Sequence, residues 1–440
     1  MNTKEKMELA EWTMNYTLKC GANQSVVGVS NSRDIEIEYR DKKLDKLKES
    51  TENSLSLQIY ANQKYSTHST SDLRKDELKK FIEEAVAATK YLSEDKYRML
   101  PDPKLYPAKL DMELKLNDKS YEKIDSSSRV KMAAEIEKEA MAVSGQIIST
   151  TAGYSDSYYE VVRVHSNGFK GSYDGTVFSV GAEVTVKDKD GGRPEDYCYA
   201  TTRFLNEIPS PEILGKEAVK RALSKIGQTK IESGKYLTLI ENRVSSRLLS
   251  VLSGAMSARS IQQKSSFLDG MLDKKIASEK LTVVDDPFIE KGLGSRLFDG
   301  EGLASKRRVF IDKGVLKNYF VDNYYGKKLG WEPTTASPAN LIFEYGTKSF
   351  DELIKGMKKG ILINGFIGGN SNSTTGDFSF GIVGLYIENG EIVKPINEMN
   401  ITGNAKEVWN QLVEMGNDPY IYSSYRSPAM LFDDLQFSGI

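Results

Sequence analysis

Histidine and cysteine, the side chains that most often hold catalytic metals, are scarce in this chain. Its 440 residues include His68, His165, Cys20 and Cys198 and no others of either type. Neither histidine has another His or Cys near it in sequence, and only His68 has an acid at ligand spacing, Asp72. Zinc sites are built from three or four such donors, so a histidine-rich zinc centre is ruled out and a cysteine-based one argued against. His68, in KYSTHSTSD, reads as an edge strand running into a loop. His165 ends the strand YYEVVRVH, and both histidines fit polar, hydrogen-bonded structural roles. Two cysteines exclude a disulfide framework and suit a reducing, cytoplasmic setting.

Three other stretches could carry chemistry. GFIGGNSNSTTGDFSFG (365–381) sets glycines, which allow close backbone approach, beside Asn370, Asn372, Ser373, Thr374, Thr375 and Asp377. A peptide laid alongside would find main-chain and side-chain partners there, and Asn370, Asn372, Ser373, Thr375 and Asp377 are the candidate substrate-binding residues. The alternative is a polar loop that only joins two apolar strands. Lys264-Ser265-Ser266 could supply a Ser–Lys nucleophile, but neighbours in sequence rarely face each other productively, and a surface crossover is the blander account. Asp285-Asp286 offers two carboxylates, yet on a strand they point to opposite faces, so one reads as structural.

The elements that must position these groups follow from apolar spacing. An opening helix, 3–20, sets Met7, Ala10, Met14 and Leu18 on one face. Alternating strands follow at 34–39 and 55–59, then a helix with Leu78, Phe81, Ile82, Ala85 and Thr89 inward. A third helix, 128–143, precedes strands at 146–154, 158–165, 176–187 and 196–204, with a turn-rich link at 167–175. Ser210-Pro211 starts a fourth helix, and GQTKIESG (227–234) is a polar hinge. Beyond it come a strand at 236–241, a long amphipathic helix at 242–262, and a strand at 281–285. A hairpin turns on Asp312-Lys313-Gly314, and Ser349-Phe350-Asp351-Glu352 opens a capped helix reaching Gly360. A strand at 361–366, a hairpin on Asn389-Gly390 and a last helix at 407–415 complete the chain. The expectation is an α+β protein: an N-terminal α+β domain (1–230) with antiparallel sheets, and a C-terminal, mostly antiparallel β domain (231–440) around a central buried helix. No apolar run could span a bilayer. Sixty basic against sixty-two acidic residues argue against direct nucleic-acid binding.

The run from Lys264 through SSFLDG to SEKLTVVDDP, followed by DGEGLASKRRVFIDKGVLKNYF (299–320), resembles the TldD/PmbA family, and the resemblance covers nearly the whole chain. That family pairs a metal-bearing TldD-type subunit with a PmbA/TldE-type subunit in a peptide-cleaving complex. The TldD-type H-E-x-x-x-H motif falls on Leu249 to Gly254, which reads LSVLSG here. Leu249, Ser250 and Gly254 thus stand as degenerate metal-ligand positions. The family's further cysteine ligand maps near 423–425, where the chain has Ser and Tyr.

The resemblance therefore implies a PmbA/TldE-like subunit with no catalytic residue and no metal or other cofactor of its own. Zinc is expected only in a TldD-like protein partner, with a peptide or unfolded segment as substrate and a homodimer as the state of the chain alone. The alternative, carried by the family's older label of modulator of DNA gyrase, is a regulatory binding protein that affects gyrase inhibition indirectly. A third reading, a serine hydrolase using Ser265 or Ser266, ranks below both.

Overall fold

Capping chemistry starts the chain. In the computed structural model, which describes residues 1–439, Asn2 accepts the Glu5 amide while Glu5 takes the Asn2 amide, and helix α1 (Thr3–Lys19) begins there. Its buried face is Lys6, Leu9, Ala10, Thr13 and Thr17, whereas Met7, Met14 and Leu18 are only partly covered. The expected stripe is rotated because Lys6 turns inward, binding the Glu160 carboxylate and the Asn31 side chain.

Strands β1 (Gln24–Arg40), β2 (Lys43–Ala61) and β3 (Lys64–Thr70) follow, then α2 (Lys75–Thr89), α3 (Ser126–Met141), β4 (Ile147–His165), β5 (Lys170–Val186), β6 (Glu195–Thr202) and α4 (Pro211–Leu223). The strands form one antiparallel sheet in the order β3-β2-β1-β4-β5-β6. Side chains alternate across it, so Val27, Val29, Ile35 and Ile37 of β1 share a face, joined by Leu55, Leu57 and Ile59 of β2. Helices α1 and α2 bury one half of that face and α3 and α4 the other. Glu36 and Glu38 point the opposite way and keep that face wet.

One expectation fails instructively. The segments 146–154 and 158–165 are a single strand, β4, because Asp156 is a buried charge rather than a turn. Arg129 of α3 reaches its Oδ2 at 2.6 Å, the Tyr154 hydroxyl donates to the same oxygen at 2.7 Å, and the Tyr121 hydroxyl donates to Oδ1 at 3.0 Å. A buried carboxylate held this way no longer interrupts a strand. Most of 167–175 is likewise strand, with only the turn before Lys170 left as a link.

The second half holds β7 (Gly234–Ile240), α5 (Asn242–Ala255), α6 (Ala258–Gln262), β8 (Val283–Asp285), β9 (Arg308–Asp312), β10 (Val315–Leu316), α7 (Asn323–Leu329) and β11 (Leu341–Phe343). Then come α8 (Phe350–Lys355), β12 (Lys359–Ser371), β13 (Asp377–Glu388), β14 (Glu391–Asn404), α9 (Ala405–Val408), β15 (Leu412–Met415) and β16 (Met430–Ser438). The large sheet runs β14-β13-β12-β7-β16-β15, and β14 also pairs with β16, which closes it like a barrel. A smaller sheet runs β10-β9-β8-β11. The whole is α+β with mostly antiparallel sheets. Leu248, Leu249, Val251, Leu252 and Ala255 of α5 lie in one core with Ile240, Ile361, Ile363 and Phe432 of the barrel.

Several boundaries differ from the sequence reading. The helix expected over 242–262 breaks at Met256-Ser257, where Ala258 N–H turns to the carbonyl of Phe320 at 2.8 Å. The capped helix stops at Lys355, and Gly360 already lies in β12, where a Cβ would sit 2.4 Å from the Leu237 carbonyl oxygen. The last helix is four residues long, and Leu412–Met415 is a strand because Leu412 and Met415 are buried against β16. Among the described residues, no helix is long and apolar enough to cross a membrane.

Candidate functional site

Glu241 fixes the start of α5. Arg221 of α4 grips its carboxylate with two hydrogen bonds, 2.7 and 2.8 Å, tying the first half of the chain to the second. Burial works against the Arg221 charge, but the Glu241 carboxylate outweighs it and holds the guanidinium protonated. From that anchor α5 buries its leucines, and its polar side turns outward. Arg243, Ser246, Arg247 and Ser250 of that side line a cleft of about 920 Å³.

The facing walls come from both halves. Glu183, Glu195, Asp196 and Tyr197 belong to β5 and β6, Asn364 to Ile367 to β12, and Tyr425 to the loop before β16. Asp196 is neutralised where it sits, with Lys225 at 3.1 Å, Arg221 at 3.6 Å and Arg243 at 3.9 Å. Arg243 also donates to the Tyr197 carbonyl and covers its ring. Arg247 differs: its guanidinium lies 4.6 Å from the Phe380 ring centre and has no ion-pair partner among the described residues. Across the cleft, burial and then the neighbouring Glu195 raise the Glu183 carboxyl above its usual range.

The β12 strand brings its backbone to this cleft. It pairs with β7 only from Gly360 to Ile363, while its pairing with β13 continues to Ser371. From Gly365 onward one edge of β12 is therefore open, with Ile367 60% exposed on it. Gly368 and Gly369, both at positive φ, make a bulge there.

The other sequence candidates are placed as follows. Asn370 and the Asn372–Asp377 turn form the far tip of the β12–β13 hairpin, outside the lining of the cleft. Much of their polarity is spent locally: Asn372 Oδ1 accepts the Thr374 amide, Thr375 donates to Asp377 at 2.6 Å, and Asn404 donates to Asp377 at 2.8 Å. The stretch read as a loop is mostly hairpin. Leu249 is buried in the core, Ser250 lines the cleft with its hydroxyl donated to the Arg247 carbonyl, and Gly254 is exposed with open space around it. Leu, Ser and Gly offer no imidazole, thiolate or carboxylate, and Arg243 and Arg247 line the same cleft beside Ser250, so these positions do not fit zinc. Among the described residues no three His, Cys, Asp or Glu side chains are grouped to hold a metal ion.

Lys264 pairs with Asp269 at 2.9 Å, while Ser266 is buried and donates to the Ala255 carbonyl, so no Ser–Lys pair forms. Asp285 is buried and accepts the Ala339 amide, and burial pushes its carboxyl up to about 6; Asp286 turns outward to Arg307. His68, on edge strand β3, contacts Ser66, and burial lowers its pKa. Sequence reading missed Arg243 and Arg247. Their spacing of four, with Ser250 three further on, placed them on one helix face and was the available signal.

An antiparallel platform under four helices, joined to a closed sheet packed on the apolar face of one helix, α5, whose polar face borders a cleft at the junction, is the architecture of the PmbA/TldD metallopeptidase-type proteins. Models of their three domains match residues 26–89, 119–226 and 233–439 (the PmbA/TldA metallopeptidase domain 1, central domain and C-terminal domain). The chain belongs to the TldD/PmbA family. It is 28% identical to the metalloprotease PmbA of Escherichia coli O157:H7, covering 94% of this chain and 92% of that one. A Bacteroides thetaiotaomicron protein described as a candidate modulator of DNA gyrase has a crystal structure that superposes with a TM-score of 0.97 at 41% identity over all of both chains. TldE of Thermococcus kodakarensis, 20% identical, shares the fold with a TM-score of 0.87 over 98% of this chain and all of that one.

Proposed function

We propose that this chain is the metal-free, PmbA/TldE-like subunit of a two-subunit peptidase, and that it holds an extended peptide for cleavage by a TldD-like partner that carries zinc. The observation that carries this reading is the open edge of β12 beside the outward face of α5. A peptide adding as a strand from Gly365 onward gains main-chain hydrogen bonds. Arg247, with no ion-pair partner, and Ile367, exposed on the same edge, stand ready for its side chains. Asn370, Asn372, Ser373, Thr375 and Asp377 would meet the same peptide beyond the cleft. The name metalloprotease, carried by the Escherichia coli relative, then describes the complex rather than chemistry at Leu249, Ser250 and Gly254. We place this assembly in the cytoplasm, with the chain homodimeric when its partner is absent.

The test is hydrolysis of an unstructured peptide by this chain, by a TldD-like partner, and by both. The reading expects turnover only when the partner is present, and Arg247→Glu in this chain lowering kcat/KM of the pair about tenfold, the loss of one charge-assisted contact. Zinc-dependent turnover by this chain alone would sink it.

The likeness to the Bacteroides protein favours a second reading, a regulatory protein acting on gyrase inhibition through removal of a peptide inhibitor. DNA binding that weakens steeply with salt would instead point to a direct effect.

A further inference from the structure

A second, smaller cavity lies where the turn Asp299–Gly302 of the C-terminal half meets the first sheet. It measures about 100 Å³ and is lined by Tyr60, Tyr65, Arg98, Arg163, His165, Glu301 and Tyr324 among others. That is room for a few ordered waters or one small polar molecule.

Its hydrogen bonding is set by a chain of fixed donors. Asn167 Nδ2 donates to the Pro101 carbonyl at 2.8 Å, so its Oδ1 faces Tyr106 and accepts that hydroxyl proton at 2.9 Å. Having given its proton away, the Tyr106 oxygen can only accept from His165 Nδ1–H, 3.0 Å distant. The imidazole is thereby fixed as the Nδ1–H tautomer, and Nε2 is left as a bare acceptor. His165 is 3% exposed, and Nε2 is buried without a partner. Such a group is costly unless something donates to it.

The charged groups of the lining are two arginines, Arg98 and Arg163, and one carboxyl, Glu301. The Arg98 guanidinium is held between the rings of Tyr324 and Tyr65, 3.6 and 4.7 Å from their centres, and has no ion-pair partner among the described residues. Arg163 spends one nitrogen on the Gly300 carbonyl. Glu301 accepts the Asn323 amide through one oxygen, leaving the other available.

We propose that this cavity is a binding site for a small free α-amino acid, its carboxylate on Arg98 and Arg163 and its ammonium on His165 Nε2 and Glu301. An anion without a donor, such as acetate, would satisfy the arginines and leave Nε2 bare; a simple cation would do the reverse. A small zwitterion meets both, within the volume present. The site lies apart from the α5 cleft and does not depend on the peptide reading.

The test is ligand-observed NMR and thermal shift on the full chain at pH 8, above the range in which Glu301 holds its proton, with millimolar glycine and L-alanine, against acetate, methylammonium and inorganic phosphate. Glycine or alanine should bind and raise the melting temperature, with acetate and methylammonium each weaker by about tenfold or more, one charge-assisted anchor being lost in each case. Arg98→Gln and Glu301→Gln should each weaken glycine by about the same factor. Acetate or phosphate raising the melting temperature as much as glycine, or saturation transfer absent for the four compounds that carry C–H protons, would overturn the proposal and leave the cavity to water or a simple anion. The wild-type comparison decides this even if a variant fails to fold.

Discussion

Burial pushes the Glu301 carboxyl up to about 7, with Asp299 and Asp322 adding to the rise and the Asn323 amide and Arg98 opposing it. The folded chain therefore keeps a proton between the ordinary carboxylate value of 4.5 and about 7, where the unfolded chain has lost it. More protons bound to the native state means stability falls as pH rises through that window and levels off above it. Denaturant midpoints measured across this range should decline, and Glu301→Gln should make the decline shallower. A residual slope should survive from Asp285, whose carboxyl is raised in the same direction. An unchanged slope in the variant would show that Glu301 ionises freely. None of this was legible in DGEGLAS, since burial at a domain junction leaves no mark on local sequence. The scarcity of histidine was legible; the role of Arg243 and Arg247 was not, because the groups they meet, Tyr197 and Phe380, come from strands distant in sequence.

At the scale of elements, strand β4 owes its continuity to one ion pair. Arg129 and Asp156 side chains are 1% and 0% exposed. Removing only the cation, as in Arg129→Met, strands a buried carboxylate and should cost about 3–5 kcal/mol in chemical denaturation. Adding Asp156→Leu should recover a large part, and failure of any recovery would mean the pair is not what holds β4 together. In the β12–β13 arm, Gly369 sits at φ +97°, and a Cβ would lie 2.3 Å from the Ser379 carbonyl oxygen. Gly369→Ala should weaken the arm by about 1–2 kcal/mol, read as faster amide exchange in residues 365–381 with the sheet core unchanged. The hairpins at Lys313-Gly314 and Asn389-Gly390 were legible because positive φ restricts residue type. The strand 412–415 was not, because Leu412 and Met415 fit a helix face or a sheet face equally, and only the neighbouring β16 decides.

For the whole molecule, α4 and α5 are linked through Arg221 and Glu241, and the cleft takes its walls from both halves. Arg221→Met leaves Glu241 without its cation and should separate one unfolding transition into two by calorimetry, with about 3–5 kcal/mol lost from the joint. The α+β class was readable from hydrophobic period alone. The closed barrel was not, since the β14–β16 contact that closes it links residues 400–402 to 436–438 across two intervening elements. The central claim, a subunit that lends a peptide edge to a metal-bearing partner, is tested most directly by native mass spectrometry of the chain alone and mixed with a TldD-like protein. The account predicts a complex containing both chains, with zinc mass in the partner and in the complex but not in this chain by itself. Stoichiometric zinc on this chain alone, or no complex under any condition, would contradict it.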